Sequence, residues 1–320
     1  MSSASGGAVD DRAGVVVMAH GTPERLEDVE SFYTEIRRGR PPSPTQLADL
    51  EGRYRAIGGT SPLNATTRSQ SDVIAAVLQQ RRPGRFVVRH GARFAAPRIE
   101  QAVDELADAG VNRLIGVVLA PHSSYASVRE YERRLHQAAT AAQTRTGRSL
   151  PVTMVDHWYD TPGFAELVGE RVRAALDSLA AEHRGEALVV FTAHSVPARL
   201  ITTGDTYAAQ LAESARAVAG TSGLRTWTVA WQSAGRTDDE WLGPDVRQVI
   251  VEQAHSGTTA VLVCPVGFVA DHLEVLYDLD IEARAVAEKE GISFARTASF
   301  NDDPAFCAVV AQAVLAADSR

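Results

Sequence analysis

Lysine is almost absent from this chain of 320 residues: Lys289 stands alone, and arginine carries the rest of the basic charge. Acidic residues still outnumber basic ones, 40 to 32, giving a formal net charge of −8. That balance argues against broad binding of nucleic acid or of an anionic membrane surface. Cysteine is scarce as well. Cys264 and Cys307 are too few for a disulfide framework or a four-cysteine cluster site, and Cys264 falls in an apolar run, 261–264, that suits a buried thiol. No stretch approaches the ~18 apolar residues of a membrane span. Residues 1–11 are small and polar without an apolar core, so they read as neither a signal peptide nor an anchor. The expectation is a cytoplasmic protein with a disordered tail over 1–12. Also missing are a nucleophile elbow, a paired-cysteine zinc motif, a phosphate loop and a spaced-glycine dinucleotide fingerprint.

What is present suffices for two cores. A chain of this length, 45% hydrophobic and 22% charged, has the make-up of a globular protein with two ordinary domains. Short apolar runs at 15–19, 86–89, 114–120, 152–155, 187–192, 226–230 and 259–265 alternate with helix-spaced stretches at 99–109, 127–141, 164–181 and 208–219. This alternation predicts βαβ units and parallel sheets, and runs apolar throughout predict helices on both sheet faces.

The pattern also repeats. One run ends Ala19-His20-Gly21-Thr22-Pro23-Glu24-Arg25 and a later one ends Ala193-His194-Ser195-Val196-Pro197-Ala198-Arg199. Residues 110–121 and 257–265 correspond in the same order. The repeat predicts a duplicated α/β unit, divided as domains 13–150 and 151–320, with the last helix packing back on the first domain. Ligands of open α/β sheets bind outside the carboxyl ends of strands. Two such ends facing each other predict a cleft with His20 and His194 on its walls.

Several residues there could carry chemistry. Imidazole accepts a proton or binds a transition metal near neutral pH, so His194 at a strand end suits either task. Glu274, Asp278 and Glu282 are spaced i, i+4, i+8 and would line one helix face, where like charges are mildly destabilising. A path or site for a divalent cation gives that stripe a reason. Arg37, Arg38 and Arg40, stiffened by Pro41 and Pro42, form a local basic patch that can grip carboxylates bidentately. The Gly58-Gly59 turn could bring backbone amides and Ser61 to an anion. Together these imply a metal and an acidic organic ligand.

Met18-Ala19-His20-Gly21-Thr22-Pro23, Ile36-Arg37-Arg38-Gly39-Arg40 and residues 54–63 carry a resemblance in the first half. Residues 192–197, Trp231-Gln232-Ser233, 241–245 and 265–274 carry it in the second. In order and spacing, and over nearly the whole chain, they resemble the ferrochelatase family. The Arg-Arg-Gly-Arg segment looks like the monoderm-bacterial branch that metallates coproporphyrin III. The resemblance implies two similar Rossmann-like domains (the type II chelatase fold) with the porphyrin between them. It implies an enzyme that inserts Fe²⁺, its metal substrate, into coproporphyrin III for haem synthesis. It makes His194 the active-site histidine and Glu274 its carboxylate partner across the cleft, with Asp278 and Glu282 as an acidic ladder guiding the cation. Arg37, Arg38, Arg53, Ser61 and Tyr131 fall where the family contacts porphyrin carboxylates or a peripheral metal ion such as Mg²⁺. Extra cysteines that hold an iron–sulfur cluster in some relatives are missing, so no cluster is expected. A monomer in transient contact with neighbouring haem-pathway enzymes completes the implication.

Two mechanistic roles stay open at this point: His194 accepts pyrrole protons with Glu274 orienting it, or the pair ligates the incoming iron. His20 is a departure, because it stands where that branch usually has Tyr, and imidazole is the better ligand for iron. The alternatives are a chelatase for another metal or tetrapyrrole, such as protoporphyrin IX with cobalt or nickel as metals, and a non-catalytic haem-binding relative.

Overall fold

The computed structural model describes residues 12–235 and 237–319. The tail expected over 1–12 lies outside them except for Arg12, which is tied down: its guanidinium donates to the Ala109 carbonyl at 3.2 Å. Four strands, β1 (Ala13–Ala19), β2 (Phe86–Ala92), β3 (Arg113–Val118) and β4 (Val152–Val155), form one parallel sheet in the order 2-1-3-4. A second parallel sheet contains β5 (Leu188–His194), β6 (Trp227–Gln232), β7 (Ala260–Cys264) and β8 (Ser293–Arg296), in the order 6-5-7-8. The two orders are the same with every strand advanced by four, so the sequence repeat is a repeat of topology.

The equivalence reaches into the loops. After β2 the Ala92 N–H donates to Pro97 O at 2.8 Å, and after β6 the Trp231 N–H donates to Pro244 O at 2.9 Å. Helices Ile99–Asp108 and Val246–His255 then begin alike, with Gln101 and Gln248 each accepting from the backbone N–H of the N-cap residue. Such boxes satisfy amide groups that a helix start leaves unpaired.

Two boundaries differ from expectation. Strand β4 begins at Val152 and pairs with β3, so a division at 150/151 cuts the first sheet short. Strand β8 was not anticipated: four residues at a sheet edge, of which only Ala295 is buried, make too short an apolar signal.

Packing joins the halves. One face of the first sheet (Val16, Met18, Leu114) is covered by helices Ile99–Asp108 and Val128–Thr146, and one face of the second (Val190, Val261, Val263) by Val246–His255 and the helical run from Leu273. The opposite faces, with Val15, Val17 and Val117 from one sheet and Val189, Phe191 and Leu262 from the other, belong to a single core. Helix Pro304–Asp318 lies in that shared core with Phe306, Val310 and Val314 fully buried, and it packs on helix Leu63–Arg81 and on β3 and β4. The central strands β1 and β5 therefore lead, directly to His20 after Ala19 and to His194 at its own end, into halves bound by common apolar packing.

Candidate active site

His194 is the last residue of β5. Behind it, Gly267 donates its N–H to Thr192 O at 3.0 Å, and a Cβ there would sit 2.4 Å from Cβ of Ala193, so only glycine permits this approach. Tyr207 donates its hydroxyl to the His194 carbonyl at 3.2 Å. Nδ1 of His194 is 2.5 Å from Ser195 O, which fixes the ring and turns Nε2 outward, 3.6 Å from Oε1 of Glu274. Both side chains keep over a third of their surface exposed (38% and 37%), so the pair is open to a ligand.

Electrostatics follow from this pairing. Burial opposes the charge on His194, but the Glu274 carboxylate and the Ser195 carbonyl outweigh it and raise the pKa to about 9. Glu274 is likewise opposed by burial yet held well below the ordinary carboxylate range by His194 and by His272. His272, whose Nε2 lies 3.6 Å from Oε2 of Glu274, is the partner that the sequence reading did not assign. Its ring packs 4.9 Å from Phe268 and its Nδ1 meets Ala270 O at 3.0 Å. Gln232, buried, donates to the Glu274 carbonyl at 3.0 Å and accepts from Thr192 at 2.8 Å, joining the carboxylate's backbone to β5.

The acidic stripe is not carried on one α-helix. Leu273–Leu276 is α-helical, Asp278–Ala283 is a π turn in which Glu282 N bonds to Tyr277 O at 3.0 Å, and Arg284–Lys289 resumes the α form. Wide turns of this kind are frequent at functional sites. Asp278 is buried; it accepts from Ser233 at 2.5 Å and lies 3.6 Å from Nη1 of Arg53. Desolvation, with Glu274 and Glu282 adding repulsion, pushes its pKa up to about 6. Glu282 is paired with Arg247 at 3.1 Å.

His20 opens onto the cleft with its Nδ1 3.0 Å from Gly21 O, the arrangement His194 has with Ser195. Crowding by the cleft walls lowers its pKa to about 4 despite the Gly21 carbonyl, and Arg93 adds to the lowering, so its imidazole is neutral. Phe94 at 4.8 Å and Phe32 at 6.1 Å complete an aromatic wall around it. That wall was missed too, since its members are far apart in sequence and have no shared motif.

The remaining sequence candidates scatter. Arg37 and Arg38 lie in the turn after helix Val29–Ile36, Arg37 beside the Tyr33 ring and Arg38 exposed in the left-handed region at φ 57°. Arg53 stacks 5.0 Å from the Tyr277 ring and pairs with Asp49 and Asp278, so it serves the acidic stripe. Ser61 is buried and accepts from the Leu63 N–H at 3.3 Å, a local turn bond. Tyr131 is buried, and burial raises its phenol to about 12. A peripheral Mg²⁺ does not fit this group: three members bring guanidiniums, and no cluster of three or more His, Cys, Asp or Glu gathers for a metal among the described residues.

An imidazole–carboxylate pair left partly exposed at the carboxyl end of a parallel sheet is chemistry that can hold a proton or a metal ion. The chain belongs to the ferrochelatase family, whose model, Ferrochelatase, matches residues 12–317. It is 42% identical over 312 residues to the coproporphyrin III ferrochelatase of Geobacillus kaustophilus, covering 96% of each chain. The coproporphyrin III ferrochelatase of Bacillus subtilis is 41% identical, over 95% of this chain and 97% of that one. The ferrochelatase of Herpetosiphon aurantiacus is 38% identical, over 92% and 95%. Among solved structures, SirB from Bacillus subtilis with Fe³⁺ shares the fold at a TM-score of 0.53 and 12% identity, over 96% and 94%. Among the described residues no helix is long and apolar enough to cross a membrane.

Proposed function

We propose that this chain inserts ferrous iron into coproporphyrin III to give coprohaem, with His194 and Glu274 carrying the proton and metal traffic. Full-length identity to proteins named for that reaction supports the substrate. The observation that carries the chemistry is the 3.6 Å His194–Glu274 pair facing a cleft whose other wall holds His20.

Metallation needs a porphyrin bent so that its nitrogen lone pairs leave the plane, two pyrrole protons removed, and Fe²⁺ stripped of water. Binding energy from the ring's periphery can be used for the bend. Glu274 keeps His194 protonated in the free enzyme. An arriving dication repels that proton to solvent and draws the carboxylate towards itself; neutral His194 then accepts one pyrrole proton, passes it to solvent and accepts the second. Asp278 and Glu282 lie further along the same run and provide the acidic approach, while exposed Arg38 and partly exposed Arg37 are the guanidiniums available to propionates. Neutral His20, on the opposite wall, ligates the iron of the product and retards its release.

Two buried cysteines, with thiols pushed up to about 12 by burial, support a chain without an iron–sulfur cluster. Buried thiols left unpaired also suit a reducing compartment, which favours the cytoplasm. We read the chain as a monomer, and a reactive iron macrocycle calls for direct transfer to a neighbouring haem-pathway enzyme. The test is anaerobic incubation with Fe²⁺ and either coproporphyrin III or protoporphyrin IX, followed by absorption spectra. Faster metallation of coproporphyrin III is the expected result; metallation of neither overturns the reading.

A further inference from the structure

We propose that Arg93 binds one carboxylate of the tetrapyrrole on the His20 side of the cleft, a role that rests on the substrate reading above. Arg93 directly follows β2, and its N–H donates to Ala19 O at 3.0 Å while that of Phe94 donates to His20 O at 2.9 Å. The segment is thus stitched to the loop that carries His20. Its guanidinium lies 4.8 Å from the Phe94 ring and 5.1 Å from the Tyr131 ring, and its buried Nε has no hydrogen-bond partner.

The neighbouring charges leave this one poorly matched. Arg98 is paired with Glu35 at 2.7 Å and Arg133 with Glu130 at 2.5 Å. Glu130 feels Arg93 and Arg134, but its hydrogen bonds go to Arg133. Arg134, 5.8 Å from the Phe94 ring, donates to the Arg93 carbonyl at 2.6 Å and adds a second cation to the spot. A half-buried guanidinium without its own carboxylate is costly, and an arriving anion relieves that cost.

Geometry suits a carboxylate on a flat ligand. His20, Phe94 and Phe32 form an aromatic wall, with Phe32 and Phe94 at 6.1 Å and nearly perpendicular, against which a macrocycle can lie. Arg93 stands at the edge of that wall. Two ring faces hold its fork in place, so a bidentate contact loses little side-chain freedom. Tyr131, expected to touch the ligand itself, instead hydrogen-bonds Arg93 from its buried position and acts as a positioning residue for it.

The test is fluorescence titration of the full chain with coproporphyrin III and with its uncharged tetramethyl ester in detergent. Arg93→Gln is expected to weaken coproporphyrin III roughly 10-fold, the size of one charge-assisted contact, and to leave the ester within twofold. Arg93→Lys, which keeps the charge but loses the fork, should fall between, and it carries the test if the glutamine variant does not fold. Equal loss for both porphyrins, or no loss for either, overturns the proposal. Failure of the unaltered chain to bind coproporphyrin III overturns the substrate reading and this proposal together. Binding that is normal but indifferent to Arg93 overturns this proposal alone.

Discussion

His20 and His194 hold their rings alike, each with Nδ1 against the carbonyl of the following residue, at 3.0 and 2.5 Å. Their charges nonetheless differ, because only His194 has a carboxylate beside its Nε2. Crowding by the surrounding walls and Arg93 keep His20 neutral, whereas Glu274 keeps His194 protonated. One duplicated position thus presents a neutral imidazole in one half and a protonated one in the other.

His194→Ala removes the proton site without touching the aromatic wall. Metallation should fall at least ~100-fold, the usual weight of a general base, while porphyrin binding by fluorescence persists. Near-normal turnover in this variant would exclude His194 from the chemistry.

The pH dependence has a definite sign. A base must be neutral to accept a proton, and Glu274 raises the pKa of His194 to about 9, so kcat/KM of the free enzyme should climb with pH towards that value. Glu274→Gln removes the main cause of the rise while burial still opposes the charge. The ascending limb should therefore move to lower pH, with a lower maximum. An unmoved limb in a full pH–rate profile would mean that another group sets it.

His20→Ala should change the absorption spectrum of the iron product complex, by loss of a nitrogen ligand, and speed product release. A spectrum identical to that of the unaltered chain would remove His20 from the metal.

Arg38, exposed in the turn after helix Val29–Ile36, should act on binding: Arg38→Ala weakens porphyrin affinity about 5–10-fold, the size of one exposed charged contact. Turnover at saturation should stay within twofold. A pure turnover defect at unchanged affinity would contradict this.

Asp278 gives a stability test. Its folded pKa, about 6, lies above the ordinary 3.8, so the folded state binds the extra proton and stability falls as pH rises through that interval. Asp278→Asn should lack this decline. Its thermal midpoint relative to the unaltered chain should improve between pH 4 and pH 7, by the equivalent of about 2 kcal/mol. Calorimetry across that range checks it, and parallel curves would refute it.

What the sequence could reveal depended on how local the signal was. β1 and β5 are largely apolar runs leading into the same Ala-His step, so their equivalence was legible, and with it the placing of His20 and His194. The carboxylate stripe was also legible as spacing, though not the π turn that carries part of it, because hydrogen-bond register leaves no mark on residue type. His272 was hidden in plain view: a histidine two residues before Glu274 has no helical phase to give its direction. Ser61 and Tyr131 show the converse limit. Their order along the chain fits the family, but whether a side chain faces the cleft or the core is set by packing from distant segments. Arg93 needed the same long-range information, since the rings that hold it and the charges that fail to match it come from three separate stretches.

The buried carboxylate of Asp318 is gripped by Arg82, Arg85 and Arg113, which lie on the first half of the chain, Arg82 being 236 residues away. During synthesis, β1 to β4 must therefore wait for a helix made more than a hundred residues after β4 before their inner face is covered. Until then the part of that face not covered by helix Leu63–Arg81 is exposed apolar surface, open to chaperones and to mispairing. Refolding should accordingly be slowest at this joint, and variants that loosen it should reduce the yield of folded protein before they reduce the activity of what folds.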